Sequence, residues 1–171
     1  MIPRLPILVL VALLAAAGLA VAFFPGVASL WLFAAGLVGL AALVDALLCL
    51  LTKAPEFERG IPGSMSLMTW TDIRVTVRNE RTRGSLLLQA FDHHPPSFES
   101  EGLPLTLKVK PGRFVDAGYR VRPLERGSVM FPGCDLRIAS PLRLWWRRRF
   151  VEASAEVRVY PNYSAISKPV S

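Results

Sequence analysis

Residues 5–44 read LPILVLVALLAAAGLAVAFFPGVASLWLFAAGLVGLAALV, forty positions without a charged side chain. The first charge after it is Asp45, and apolar residues continue to Leu51. A helix needs roughly 20 apolar residues to cross the hydrocarbon core of a bilayer. The run is too long for one crossing and suits two. Phe24-Pro25-Gly26 supplies the break. Proline removes a backbone donor and glycine permits a tight reversal. The reading is a two-helix transmembrane hairpin over residues 1–52, with helices at about 5–24 and 27–51.

Small residues recur in both helices: Ala15, Ala16, Ala17 and Gly18 in the first, Ala34, Ala35, Gly36 and Gly39 in the second. Such residues let helix backbones approach closely, where dispersion replaces the absent hydrophobic drive. Asp45 falls within two turns of Lys53 and is expected to be an interfacial or packing residue, not a proton carrier. Arg4 and Ala20-Val21-Ala22 together imitate a cleavable leader. The unbroken hydrophobicity through Phe23, Phe24 and a second span favours a retained hairpin. Arg4 before the first helix, with Lys53 and Arg59 after the second, places both ends in the cytoplasm by the positive-inside rule. The expected location is therefore a membrane, with both ends on its cytoplasmic side.

The membrane segment accounts for the 52% hydrophobic content and the mean hydropathy of +0.39. Arg4 and Asp45 cancel, so the formal charge of +7 belongs to the chain after residue 52. A basic domain beside a bilayer is attracted to anionic lipid, and the same charge suits nucleic acid. The two cysteines, Cys49 and Cys134, lie far apart, fit a reducing compartment, and form no metal or redox motif.

Residues 53–63 hold Pro55, Gly60, Pro62 and Gly63 and read as a linker. From residue 64 the pattern alternates: Ile73, Val75 and Val77 interleave with Arg74, Thr76 and Arg78. Further strands are predicted at 85–91, 103–109, 114–121, 128–131, 135–139, 142–149 and 156–160, with Pro132-Gly133 as a turn. No helical period appears after residue 51. Short strands at this spacing predict an antiparallel, immunoglobulin-like β-sandwich over 64–163, with a tail at 164–171.

His93 and His94 are adjacent and would point to opposite faces of a strand, so they do not share a metal. No nucleophile elbow and no phosphate-binding loop is present. No catalytic, cofactor-binding or metal-binding residue is expected. The unusual soluble segment is Arg143-Leu144-Trp145-Trp146-Arg147-Arg148-Arg149. Its first reading is an edge strand with one tryptophan in the core and the arginines kept in water, its second membrane contact at headgroup depth, and its third nucleic-acid binding. Arg126, ahead of Gly127, is expected to hold a carboxylate such as Glu125 or Asp135, or to face a partner. Arg126, Arg143, Trp145, Trp146, Arg147, Arg148 and Arg149 are the candidate partner or membrane contacts.

Tyr119, Pro123, Arg126 and Gly127 form a Tyr-x-x-x-Pro-x-x-Arg-Gly turn, followed by Pro132-Gly133 and ending in Val159-Tyr160-Pro161. With the hairpin before them, and with Asn79 and the loop from Asp92 to Pro95, these motifs resemble the bacterial family called domain of unknown function fifty-eight. An Asp-Pro-Phe-Gly-Leu-like segment of that family reads Ser140-Pro141-Leu142-Arg143-Leu144 here, without its acid or glycine. Family members usually continue into a von Willebrand factor A domain, which these residues lack. The chain is thus expected to be a fragment, a split gene product or a short relative, and no metal-dependent adhesion carries over. The resemblance implies a partner, a MoxR-type AAA+ ATPase, and a role in assembling or maturing membrane or envelope complexes. The resulting expectation is a membrane-anchored, non-enzymatic scaffold that binds protein through loops or an exposed edge strand. The alternative is a tethered module for anionic lipid or nucleic acid.

Overall fold

The computed structural model describes residues 1–81 and 84–161. The chain divides into two compact units. The first comprises Met1–Lys53 with Arg137–Arg148; the second comprises Ala54–Leu136 and the described residues from Arg149 onward.

The first unit opens with a two-residue strand β1 (Ile2–Pro3), then α1 (Leu5–Val21), a single 3₁₀ turn at Pro25–Val27, and α2 (Ala28–Leu51). Proline stands in the first turn of α1, where its missing N–H costs nothing. The helix stops before Pro25, and the 3₁₀ turn begins within the predicted Phe24-Pro25-Gly26 break. Pro25–Leu51 spans 27 residues at a mean hydropathy of 2.3, long and apolar enough to cross a membrane. α1, with 17 residues, is shorter. The Trp31 indole N–H donates to the Leu14 carbonyl at 3.0 Å. The ring lies against Gly18, where an added Cβ would come within 2.9 Å of it. Close approach thus uses Gly18, while Gly36 and Gly39 face open space.

The second unit carries β2 (Glu56–Gly60), β3 (Ser64–Ser66), β4 (Thr71–Arg78), β5 (Leu86–Asp92), β6 (Phe98–Glu101), β7 (Leu105–Val109) and β8 (Phe114–Pro123). Two long strands follow, β9 (Gly127–Ala139) and β10 (Trp145–Tyr160), of which residues 137–139 and 145–148 belong to the first unit. There are two sheets. One has the order β2-β4-β8-β6. The other runs β1-β10-β9-β5-β7, with β3 pairing in parallel to the end of β10. The pairs β1–β10, β2–β4, β4–β8, β5–β7 and β6–β8 are antiparallel.

Alternation decides the core. Ile73, Val75 and Val77 of β4 are fully buried while Asp72, Arg74 and Arg78 are exposed. Leu86 and Leu88 of β5, Val121 of β8 and Phe131 of β9 join them. Each such side chain contributes roughly 1.5–3 kcal/mol by leaving water. Phe98 and Phe131, from different sheets, meet edge to face at 5.3 Å.

Three expectations are corrected. The predicted linker 53–63 contains β2, which pairs along its length with β4, Phe57 opposite Val77. Its prolines flank the strand and leave Phe57 and Arg59 on one face. The predicted turn at Pro132-Gly133 lies inside β9. The His93 N–H donates to the Gly133 carbonyl at 3.0 Å, so the pair continues the ladder to β5. Finally, the strands predicted at 142–149 and 156–160 are one strand, β10, because no breaker separates them. The predicted tail, and residues 162 and 163 of the predicted domain, fall outside the described residues.

Candidate functional site

In the first unit, the turn between β9 and β10 is built on Asp45. This carboxylate is fully buried. It accepts the Ser140 hydroxyl at 2.5 Å and the Leu142 N–H at 2.7 Å. Ser140 in turn accepts the N–H groups of Leu144 and Trp145, both at 3.0 Å. Backbone donors of a tight turn therefore end on one acid, as buried polar groups require. This is the packing role expected for Asp45, with a partner that periodicity gave no means of naming.

The arginine–tryptophan segment separates into distinct tasks. The Trp145 indole N–H donates to the Ala42 carbonyl at 3.1 Å. Arg147 donates to the carbonyls of Cys49, Leu50 and Thr52 at 2.9, 2.9 and 3.0 Å. Those are the orphan acceptors at the C-terminus of α2, where a cation also complements the helix dipole. Trp146 lies under the Arg4 guanidinium, 4.4 Å from its ring centre. Arg143 sits exposed at the turn with φ of 61°. Arg148 and Arg149 are exposed on β10. Arg126 is exposed ahead of Gly127 and makes no ion pair among the described residues.

In the second unit, a charged cluster crosses the interior. Arg59 of β2 pairs with Asp92 of β5, and both side chains are almost fully buried. Arg59 also donates to the Phe131 carbonyl at 3.3 Å and to the Ala153 carbonyl. The Tyr119 hydroxyl of β8 donates to the other Asp92 oxygen at 2.5 Å. Burial pushes the Asp92 carboxyl above its ordinary range, partly opposed by Tyr119 and Arg59. Burial and the Asp92 charge push the Tyr119 hydroxyl up. Burial, reinforced by Asp92, pushes the Cys134 thiol up to about 12. A thiol in that state is inert.

His93 pairs with Asp135 at 2.8 Å and leans on the Phe150 ring at 6.1 Å. The His94 ring meets the Pro95 carbonyl at 3.1 Å. The two histidines thus have separate partners. Among the described residues no group of three or more His, Cys, Asp or Glu is placed to hold a metal.

The recess that stands out is on the solvent face of the four-stranded sheet. It is a groove of about 960 Å³ lined by residues including Gly60, Asp72, Arg74, Gly102, Gly118 and Arg120. Its floor follows from register: Gly60, Arg74 and Gly118 sit side by side across β2, β4 and β8. With no side chain on either neighbour, Arg74 stands alone in a trough. A Cβ at Gly118 would press on the Ile73 carbonyl at 3.3 Å. Around the trough the charges are paired: Arg120 with Glu101 at 2.5 Å, Arg122 with Glu99, and Thr76 with Asp116 at 2.7 Å. Trp70 lies beneath Arg120 and Arg122, 5.5 and 5.1 Å from their guanidinium carbons. Arg74 makes no ion pair among the described residues. The arrangement offers a cation to a carboxylate or carbonyl, with Asp72 and Asp116 nearby for donors. Sequence reading missed this groove. Its only signal was the exposed member of each alternating pair, and register was needed to align the glycines.

No family model matches the chain, and no curated protein matches it.

Proposed function

We propose that this chain is a membrane-anchored, non-enzymatic scaffold. The helices form a transmembrane hairpin in the bacterial inner membrane with both ends cytoplasmic. The two sheets form an immunoglobulin-like β-sandwich that binds a protein partner. The observation carrying this reading is the groove floored by Gly60 and Gly118 around Arg74. Glycines on a sheet face let an extended partner segment approach the backbone, and a lone arginine gives it a point of charge. The resemblance to the domain of unknown function fifty-eight family supports a MoxR-type AAA+ ATPase as that partner, in the assembly or maturation of membrane or envelope complexes.

The test places a photo-crosslinking side chain at Asp116 in the full chain, in native membranes. The expected adduct is with the ATPase and is lost in an Arg74→Glu variant. An adduct with some other protein overturns the ATPase assignment, and no adduct overturns the scaffold. Topology is checked with Glu125→Cys, because Cys134 is fully buried and a poor target for labelling. Labelling of that cysteine in intact cells would refute the cytoplasmic placement.

A further inference from the structure

The pairing of β1 with β10 sets Ile2 opposite Trp146 and Pro3 opposite Trp145. The Arg4 N–H then donates to the Leu144 carbonyl at 2.9 Å, which brings Arg4 beside the turn that carries Arg143. The Arg4 side chain is held flat by Trp146. Its Nη1 is buried and has no hydrogen-bond partner. No carboxylate pairs with Arg4 or Arg143 among the described residues. Asp45, the acid of the same turn, is engaged by the hydroxyl of Ser140 and the backbone N–H groups of Leu142 and Leu144. Burial, with the charge of Arg143 second, lowers the pKa of Arg4. Two like charges have therefore been brought together with an unmade hydrogen bond between protein and nothing. An unsatisfied buried donor on a charged group is costly, and an anion beside the two guanidiniums would offset their like charge.

Arg4 is also the N-cap of α1, which has no side-chain cap and no acid in its first turn. The positive end of the helix dipole thus faces the same place. Immediately beyond lie apolar side chains in the open, Leu5 at 74% exposure, with Leu8 and Val9 after it. Cations followed at once by an exposed apolar helix match a phosphate joined to acyl chains.

We infer that Arg4 and Arg143, at the head of α1, form a binding site for the phosphodiester of an anionic lipid headgroup. Arg4 and Arg143 supply the two cations from either side of the turn, and Trp146 keeps the Arg4 guanidinium in place. The site rests on the membrane reading of the helices but not on the protein-binding groove.

The experiment uses the full chain reconstituted in phosphatidylcholine vesicles with or without phosphatidylglycerol. Lipid retained after detergent extraction is counted by native mass spectrometry. Retained phosphatidylglycerol is expected on the parent chain and about tenfold less on Arg4→Gln/Arg143→Asn. Arg143→Asn alone lies at an exposed turn and tolerates φ of 61°, so a partial loss there keeps the test valid if the double variant does not fold. Inorganic phosphate is titrated against the tryptophan fluorescence of the detergent-purified chain. If phosphate binds saturably and displaces the lipid, the ligand is free phosphate and the lipid assignment is overturned. Equal retention of phosphatidylglycerol and phosphatidylcholine, or retention unchanged by the substitutions, also overturns it. Alkaline carbonate extraction separates the two levels. A chain that stays in the membrane but holds no anionic lipid refutes this site alone, and one that washes off refutes the anchor with it.

Discussion

Replacing Arg59 by methionine removes one half of a buried ion pair while keeping its aliphatic volume. Asp92 is left with a single donor, Tyr119. The carbonyls of Phe131 and Ala153 lose the guanidinium they share. Breaking a buried pair from one side costs about 3–5 kcal/mol, and each orphaned carbonyl about 1–3 kcal/mol more where water cannot reach it. Asp92 limits the loss by taking up a proton, a change its raised pKa already favours. The net expectation is a loss of about 4 kcal/mol, or a fall in Tm of about 16 °C for a unit of this size. The companion variant Arg59→Met/Asp92→Leu removes both charges and should recover most of that loss, since hydrophobic replacements of buried pairs are often neutral or better. The assay is thermal unfolding of the full chain in detergent micelles, followed by the β-sheet band of circular dichroism. An Arg59→Met variant melting within about 2 °C of the parent, under roughly 0.5 kcal/mol, would refute the reasoning. A double variant no more stable than the single one would show that the charges act through something other than their pairing.

Gly133→Ala should lose at least as much stability, because its Cβ would collide with the Val151 carbonyl of the neighbouring strand, and a strand backbone does not yield. Equal unfolding midpoints for parent and variant would count against the close approach. Alkaline pH gives a third prediction. Cys134 and Tyr119 keep their protons in the folded chain above their ordinary 9.0 and 10.0 and release them on unfolding. The native state then binds more protons, so stability falls as pH rises, by about 1.4 kcal/mol per unit above pH 9 and about twice that above pH 10. Cys134→Ala should abolish the first part of that slope. Modification of the native thiol at pH 8 as fast as in denaturant would contradict its burial.

The sequence carried the helices and most strands because each rests on a local pattern. Forty uncharged residues, a Pro-Gly break and a period of two need no knowledge of distant contacts. Strand boundaries failed where a local signal was overruled by pairing. Pro132-Gly133 has turn chemistry, yet the Gly133 carbonyl is claimed by the His93 N–H and the chain stays extended. Residues 56–60 lie among linker residues, yet five consecutive pairings with β4 make them a strand. The glycine-floored groove depends on three strands aligned in register, and no single stretch contains it.

The same limit applies to the charges, with more consequence for function. Arg147 and Trp145 looked available for a partner because a sequence shows charge without showing what it meets. In the structure Arg147 is spent on three carbonyls at the end of α2, and Trp145 on a fourth. A guanidinium committed to buried or half-buried carbonyls cannot bind a phosphate without orphaning them, at about 1–3 kcal/mol each. The useful distinction within a basic segment is thus between cations whose donors are satisfied and those left over. By that criterion the candidates for recognition are Arg143 and Arg4 in the first unit and Arg74 in the second, not Arg147. A mutational scan of arginines should reflect this: substitutions at Arg147 should lower stability, and those at Arg143 and Arg74 should lower binding while leaving the fold intact.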